Sequence, residues 1–207
     1  MNESLLVTLG LGFVLGLKHA TEPDHLAAIS TIVSERRSPW QSAAVGAMWG
    51  TGHTASLIAV GFAVIVLGVV IPERVANLLE LVVALMIIFL GTRLLWRVLN
   101  GQSTHSHPHS RRPILIGIVH GLAGSAALTL LVLAEVVRQS SAVIGLLYML
   151  VFGVGSVGGM MIMSCAIGLP FTLGIPIVQR SLLPLRLLTG TLSTTFGVFY
   201  AWSILQR

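Results

Sequence analysis

From residue 5 to residue 205 the chain is a succession of apolar runs, each long enough to cross a bilayer and broken only by short polar segments. The runs fall near 5–33, 40–70, 75–99, 113–137, 142–169 and 183–205. A spanning helix needs about 20 mostly apolar residues, because a hydrocarbon layer about 30 Å thick is crossed at about 1.5 Å per residue. Backbone amides in lipid must pair within their own segment, so such runs fold as helices. Six of them use nearly all of the 207 residues and leave no length for a soluble domain. Only 9% of residues are charged, against about 25% in a water-facing globule, so the chain cannot coat itself with polar surface. The expected fold is an all-α integral membrane protein of six transmembrane helices, with the lipid bilayer as its solvent.

The net charge of +5 does not describe a nucleic-acid surface, because the arginines stand at the ends of apolar runs, where they orient helices. The loops after runs one, three and five hold Arg36, Arg37, Arg93, Arg97, Arg111, Arg112, Arg180 and Arg186; the opposite side holds Arg74, Arg138 and Arg207. That bias places both termini outside and residues 100–112 in the cytoplasm, in a multi-pass protein of the inner (plasma) membrane. The opening MNESLLVTLG lacks a basic leader, so the first run reads as a mature helix. The single Cys165 permits no intrachain disulfide and reads as an inert core thiol.

The two halves echo each other. LGLKHA at 15–20 matches IGIVHG at 116–121, WGTGH at 49–53 matches FGVGS at 152–156, and Gly91 and Trp96 match Gly197 and Trp202. The offsets rise in order from 101 through 103 to 106, as small loop insertions would produce. Three helices per half is an odd number, so the second half enters the membrane from the opposite face. This is a 3+3 inverted repeat, an architecture of secondary transporters with the substrate site at the repeat interface. Its parts are residues 1–99, a histidine-containing linker at 100–112, and residues 113–207.

Chemistry concentrates at 19–25, HATEPDH, inside the first run. An ionisable group at the bilayer centre costs on the order of 2.5–3.5 kcal/mol, a large penalty for His19, Glu22, Asp24 and His25 to carry for packing alone. On a regular helix His19, Asp24 and His25 point in three directions. Pro23 has no N–H to pair with the His19 carbonyl and its ring crowds that turn, so a break or kink near Pro23 can turn the three side chains toward one centre. Two imidazoles and a carboxylate suit Ni(II), Co(II), Zn(II) or Cu(II) better than Cu(I). His53, in Gly50-Thr51-Gly52-His53-Thr54, either completes this site or is a core histidine bonded to a carbonyl. Metal binding needs neutral imidazoles, so acid should weaken it.

The His-x4-Asp-His run followed by a Gly-His-Thr helix resembles the nickel/cobalt transporter (NiCoT) family, and 120–128, HGLAGSAAL, resembles its shorter, urease-accessory-type (UreH-like) membrane branch. The resemblance implies uptake of a divalent metal, Ni2+ first and Co2+ next, as the transported substrate. It gives the recognition role to His19, Asp24, His25 and His53. Glu22 and Pro23 stand where the family usually has Asp-Ala, and the Phe-Asp-Thr segment of the family's second half is missing.

Other candidates are secondary. Glu22 is placed as a proton relay, and His120, Ser125 and Ser156, the repeat partners of His19, Asp24 and His53, as pathway residues. His105, His107 and His109 read as a solvated linker or a weak metal buffer. No organic cofactor is expected. Homo-oligomers or metalloenzyme-maturation partners are the expected protein contacts. Two other functions stay open: export of another small substrate such as an anion, which would need cations converging at midplane where only Lys18 is available, and a non-transporting metal-binding accessory protein. An enzyme is not expected, because His-x4-Asp-His lacks the spacing that puts two zinc-binding histidines of a protease helix on one face.

Overall fold

The computed structural model describes residues 2–36, 38–101, 111–123, 141–172 and 176–207, and among these every regular element is a helix. In chain order they are α1 (Asn2–His19), α2 (Pro23–Val33), α3 (Pro39–Val66), α4 (Glu73–Leu99), α5 (Arg112–Leu122), α6 (Ala142–Thr172) and α7 (Pro176–Leu205). Four of them, α3, α4, α6 and α7, are long and apolar enough to span a membrane, and α1 and α2 taken together, bent by 56° at the break between them, have the length and apolarity of a fifth. The fourth expected run, 113–137, is helical as α5 up to Leu122; residues 124–137 lie outside the described part, as does the linker 102–110.

The first run breaks where the sequence predicts. Glu22 is extended (φ −63°, ψ 145°) with Pro23 at the start of α2, since a proline disfavours helical backbone at the residue before it. The His19 carbonyl is not left free, because the Glu22 amide donates to it at 3.1 Å. The second run ends at Val66 rather than near residue 70, because Gly68 takes φ +65° and the Val69 amide turns back to the Ala63 carbonyl. Ser38 caps α3 by accepting from the Gln41 amide at 3.2 Å, and Pro39 occupies its first turn, where a missing donor is tolerated.

Close glycine contacts set the packing. Along α1 and α6, Gly12 meets Tyr148, Gly16 meets Phe152 and Ser156, and Ala20 meets Gly159, so these helices run parallel. Gly117 and Gly121 of α5 meet Trp49, His53 and Ser56 of α3, again in parallel. By contrast α3 and α6 are antiparallel, with Gly46 against Met160 and Thr54 against Gly153. So are α4 and α7, with Gly91 against Thr194 and Gly197 against Ile88. The buried centre is built from Ala20, Ala28, Ile29, Val45, Trp49, Ile87 and Met160. Outer faces carry large exposed apolar side chains such as Leu6, Val14, Phe89, Val154 and Phe199, as lipid-facing surfaces do.

The end of the bent span is held by charge. Arg97, in the last turn of α4, donates to Glu35 at 2.7 Å, and both side chains are largely covered. The Arg186 Nε donates to the Ser34 carbonyl at 3.1 Å. Glu80, on α4, accepts from the exposed Arg207 at 3.2 Å. Arg97→Met is expected to lower the thermal midpoint of the detergent-solubilised protein by the equivalent of about 1–2 kcal/mol, because it strips a half-buried carboxylate of a charged donor. Arg207→Met should change it far less, since exposed pairs contribute little.

Candidate metal centre

The break between α1 and α2 gathers what a regular helix would scatter. His19 sits in the last turn of α1 and Asp24 and His25 in the first turn of α2, and all three are buried. His53 arrives from the middle of α3 and His120 from the last turn of α5. All four imidazoles are at most 3% exposed, so they face one another and not water.

Their contacts are short. His19 Nε2 lies 2.9 Å from His53 Nε2, so a neutral pair holds one N–H between them. His19 Nδ1 lies 2.9 Å from Glu22 Oε1; an N–H donated there leaves Nε2 with its lone pair. Asp24 divides its oxygens, Oδ1 to His25 Nδ1 at 3.0 Å and Oδ2 to His120 Nε2 at 2.8 Å. A carboxylate behind an imidazole fixes its tautomer and orientation, as the outer partners of metal-ligating histidines do. His25 Nε2, His53 Nδ1 and His120 Nδ1 remain buried without a hydrogen-bond partner. Unpaired polar atoms in such a place cost free energy, and an electrophilic guest would recover it.

Two groups of three residues have donor atoms within 4.8 Å of one another: His19, His25 and His53, and Asp24, His25 and His120. Such a nitrogen and oxygen donor set fits a divalent first-row metal. The walls are aromatic. Trp49 lies 5.3 Å from the His25 ring and 5.4 Å from that of His120, and Phe152 lies 5.4 Å from His19, each between centroids.

The structure thus brings together His19, Asp24, His25 and His53 of the expected set and adds His120, which sequence reading had only as a pathway residue. Ser156, on α6, is fully buried with its hydroxyl unpaired. Glu22 is at the edge, its side chain 40% exposed. Ser125, His105, His107 and His109 lie outside the described residues. Trp49 and Phe152 were missed, although each stands one helical turn before a named residue, His53 and Ser156, on the same face.

Comparison with known proteins agrees with this chemistry. Residues 5–191 match the family described as NicO, high-affinity nickel-transport protein. The chain is 38% identical to the urease accessory protein UreH of Bacillus sp. (strain TB-90), over 97% of this chain and 92% of that protein. A segment covering 27% of this chain is 46% identical to 15% of the chloroplast protein FOR GROWTH AND FERTILITY 1 of Arabidopsis thaliana. No solved structure matches. With nearly its whole length matched, this multi-pass membrane chain belongs to the NicO family of high-affinity nickel-transport proteins.

Proposed function

We propose that the chain takes up a divalent transition-metal ion, nickel first and cobalt next, through the His19, Asp24, His25 and His53 cluster, with His120 and Ser156 along the path. The observation that carries this is the convergence of four imidazoles and one carboxylate in a buried centre at a broken span. Glu22, open to its surroundings and bonded to His19, is the natural point of capture and carries the proton-relay role. Lys18 is exposed while its neighbour His19 is buried, so it does not make the cationic centre that an anion site needs.

The two halves, 1–99 and 113–207, act in this reading as inverted repeats joined by a cytoplasmic linker at 100–112. Reciprocal contacts support it. Gly16 against Phe152 mirrors Gly117 against Trp49, and Gly155 against Phe13 mirrors Gly52 against Ile114. The Glu22 amide returns to the His19 carbonyl at 3.1 Å and the Ala123 amide to the His120 carbonyl at 3.2 Å. Rocking of one half on the other opens the centre to each side in turn, with both termini outside and the site in the inner membrane.

A non-transporting metal-binding accessory protein is the second reading, favoured by the accessory role in the name of the Bacillus relative; that name also makes metalloenzyme maturation the setting for either. Nickel accumulation in expressing cells tests the choice. His19→Ala and Asp24→Asn are each expected to reduce it at least about 10-fold. Unchanged accumulation in both variants rejects the site. Tight binding by the purified wild type with no accumulation in cells selects the accessory reading.

A further inference from the structure

The two donor sets share one residue. His19, His25 and His53 form one group and Asp24, His25 and His120 the other, and the five residues do not merge into a single group. We propose that these are two cation positions occupied in turn, with His25 as the common ligand on which the ion pivots and His120 as a ligand of the second. This rests on the reading of the cluster as a transport site for a divalent metal.

Geometry divides the cluster. A first-row ion holds nitrogen and oxygen donors at about 2.0–2.2 Å, so one ion draws on donors a few ångströms apart, as within each group. The His25 ring lies 4.6 Å from that of His19, 5.1 Å from His53 and 4.3 Å from His120, central to both groups. His25 Nε2, His53 Nδ1 and His120 Nδ1 are buried and unpartnered, which leaves a spare nitrogen in each set beyond those already engaged with neighbours.

The sets differ in charge and in what they tie together. Three neutral imidazoles make up the first, all from α1, α2 and α3. The second adds the Asp24 carboxylate and joins α2 to α5, which lies beyond the linker. An ion passing from one to the other gains a counter-charge in a low-dielectric site, where such a charge acts strongly. It also begins to bridge the two halves of the chain. Glu22, 40% exposed beside His19, puts an open end at the first set, while the second set reaches His120 in the other half of the chain. The transfer therefore adds the counter-charge and clamps the halves at the same moment.

The test uses purified full-length protein with Ni2+ as the titrant. His53→Leu and His120→Leu are each expected to keep one ion per chain, with affinity reduced about 10–100-fold, since one set survives in each. His25→Leu and the double variant His53→Leu/His120→Leu should bind none. In cells both single variants should drop to background accumulation, because one stage of the transfer is gone. Two results overturn the proposal: wild-type accumulation by His120→Leu, or loss of binding in His120→Leu as complete as in His25→Leu, which means one undivided site. If the wild type itself binds no nickel, the metal-transport reading falls, and the proposal with it. Apo thermal midpoints establish that each variant is folded, and His120→Ala serves where His120→Leu is not.

Discussion

His25→Leu should erase the thermal stabilisation that nickel gives the purified protein. At a free metal concentration about 100 times Kd, a ligand that binds only the folded state adds about 2.7 kcal/mol; with His25 gone the midpoint should not move with nickel at all. The reason lies in its position. His25 is fully buried and belongs to both groups of donors, so no second arrangement of the remaining residues restores three ligands. The substitution has a metal-independent cost too. Asp24 Oδ1 loses the donor 3.0 Å away, and an acceptor stripped of its partner in a buried site costs about 1–3 kcal/mol. Glu22→Gln provides the contrast, since its side chain is 40% exposed and it touches only His19 of the cluster; it should keep most of the nickel-dependent shift. The shift should also shrink in acid, as protons compete for the imidazole lone pairs. A His25→Leu protein that still rises with nickel would place the metal elsewhere.

Why His25 was readable from sequence and His120 only half so is a matter of chemical contrast. Four acidic or imidazole residues and a proline within an apolar run stand out, because lipid-buried charge is costly and proline breaks the helix beside it. The break at Glu22 and the convergence of His19, Asp24 and His25 follow from that alone. His53 and His120 are single histidines among glycines, with nothing local to say which way they face. Only the repeat, through the match of LGLKHA with IGIVHG, tied His120 to His19, and it could not tell a packed histidine from one in contact with Asp24. That contact spans 96 residues of chain, beyond the reach of any local pattern. Trp49 and Phe152 were hidden by their ordinariness, since large apolar side chains fill every run and only the site gives these two a role. Helix ends were misjudged where backbone bonding, not hydropathy, decides: Val69 and Val70 are as apolar as any residue of α3, yet Gly68 and the bond from Val69 to Ala63 end the helix before them.

Gly16→Val and Gly117→Val are expected to be the most damaging substitutions outside the donor set, and to damage the protein alike. A side chain at Gly16 drives into the Phe152 carbonyl, and one at Gly117 into the Trp49 carbonyl. Backbone cannot rotate out of the way as a side-chain tip can, so the helices must separate. Overpacking of this kind costs about 1–3 kcal/mol, occasionally more, and small residues at helix crossings are the means by which membrane helices approach closely enough to hold each other. Gly10 is the control: it has nothing within 4 Å, and Gly10→Ala should be neutral or stabilising by up to about 1 kcal/mol, as expected for an open helical site. The consequences at the site should differ from those on the fold. Gly117 lies against Trp49 and the His53 amide, so forcing α5 away from α3 moves His120, three residues further along α5, from Asp24. Gly16 lies one turn before Ala20 and sets α1 against α6, so its loss disturbs His19 instead. The milder Gly117→Ala, if it folds, should therefore bind nickel about as Leu at position 120 does, through His19, His25 and His53. Gly16→Ala should mimic the loss of His53. Equal falls in thermal midpoint for the two valine variants, with each alanine variant still binding one ion at reduced affinity through a different donor set, are what two mirrored halves closing on one centre require; a strong effect at Gly16 with none at Gly117 is incompatible with them.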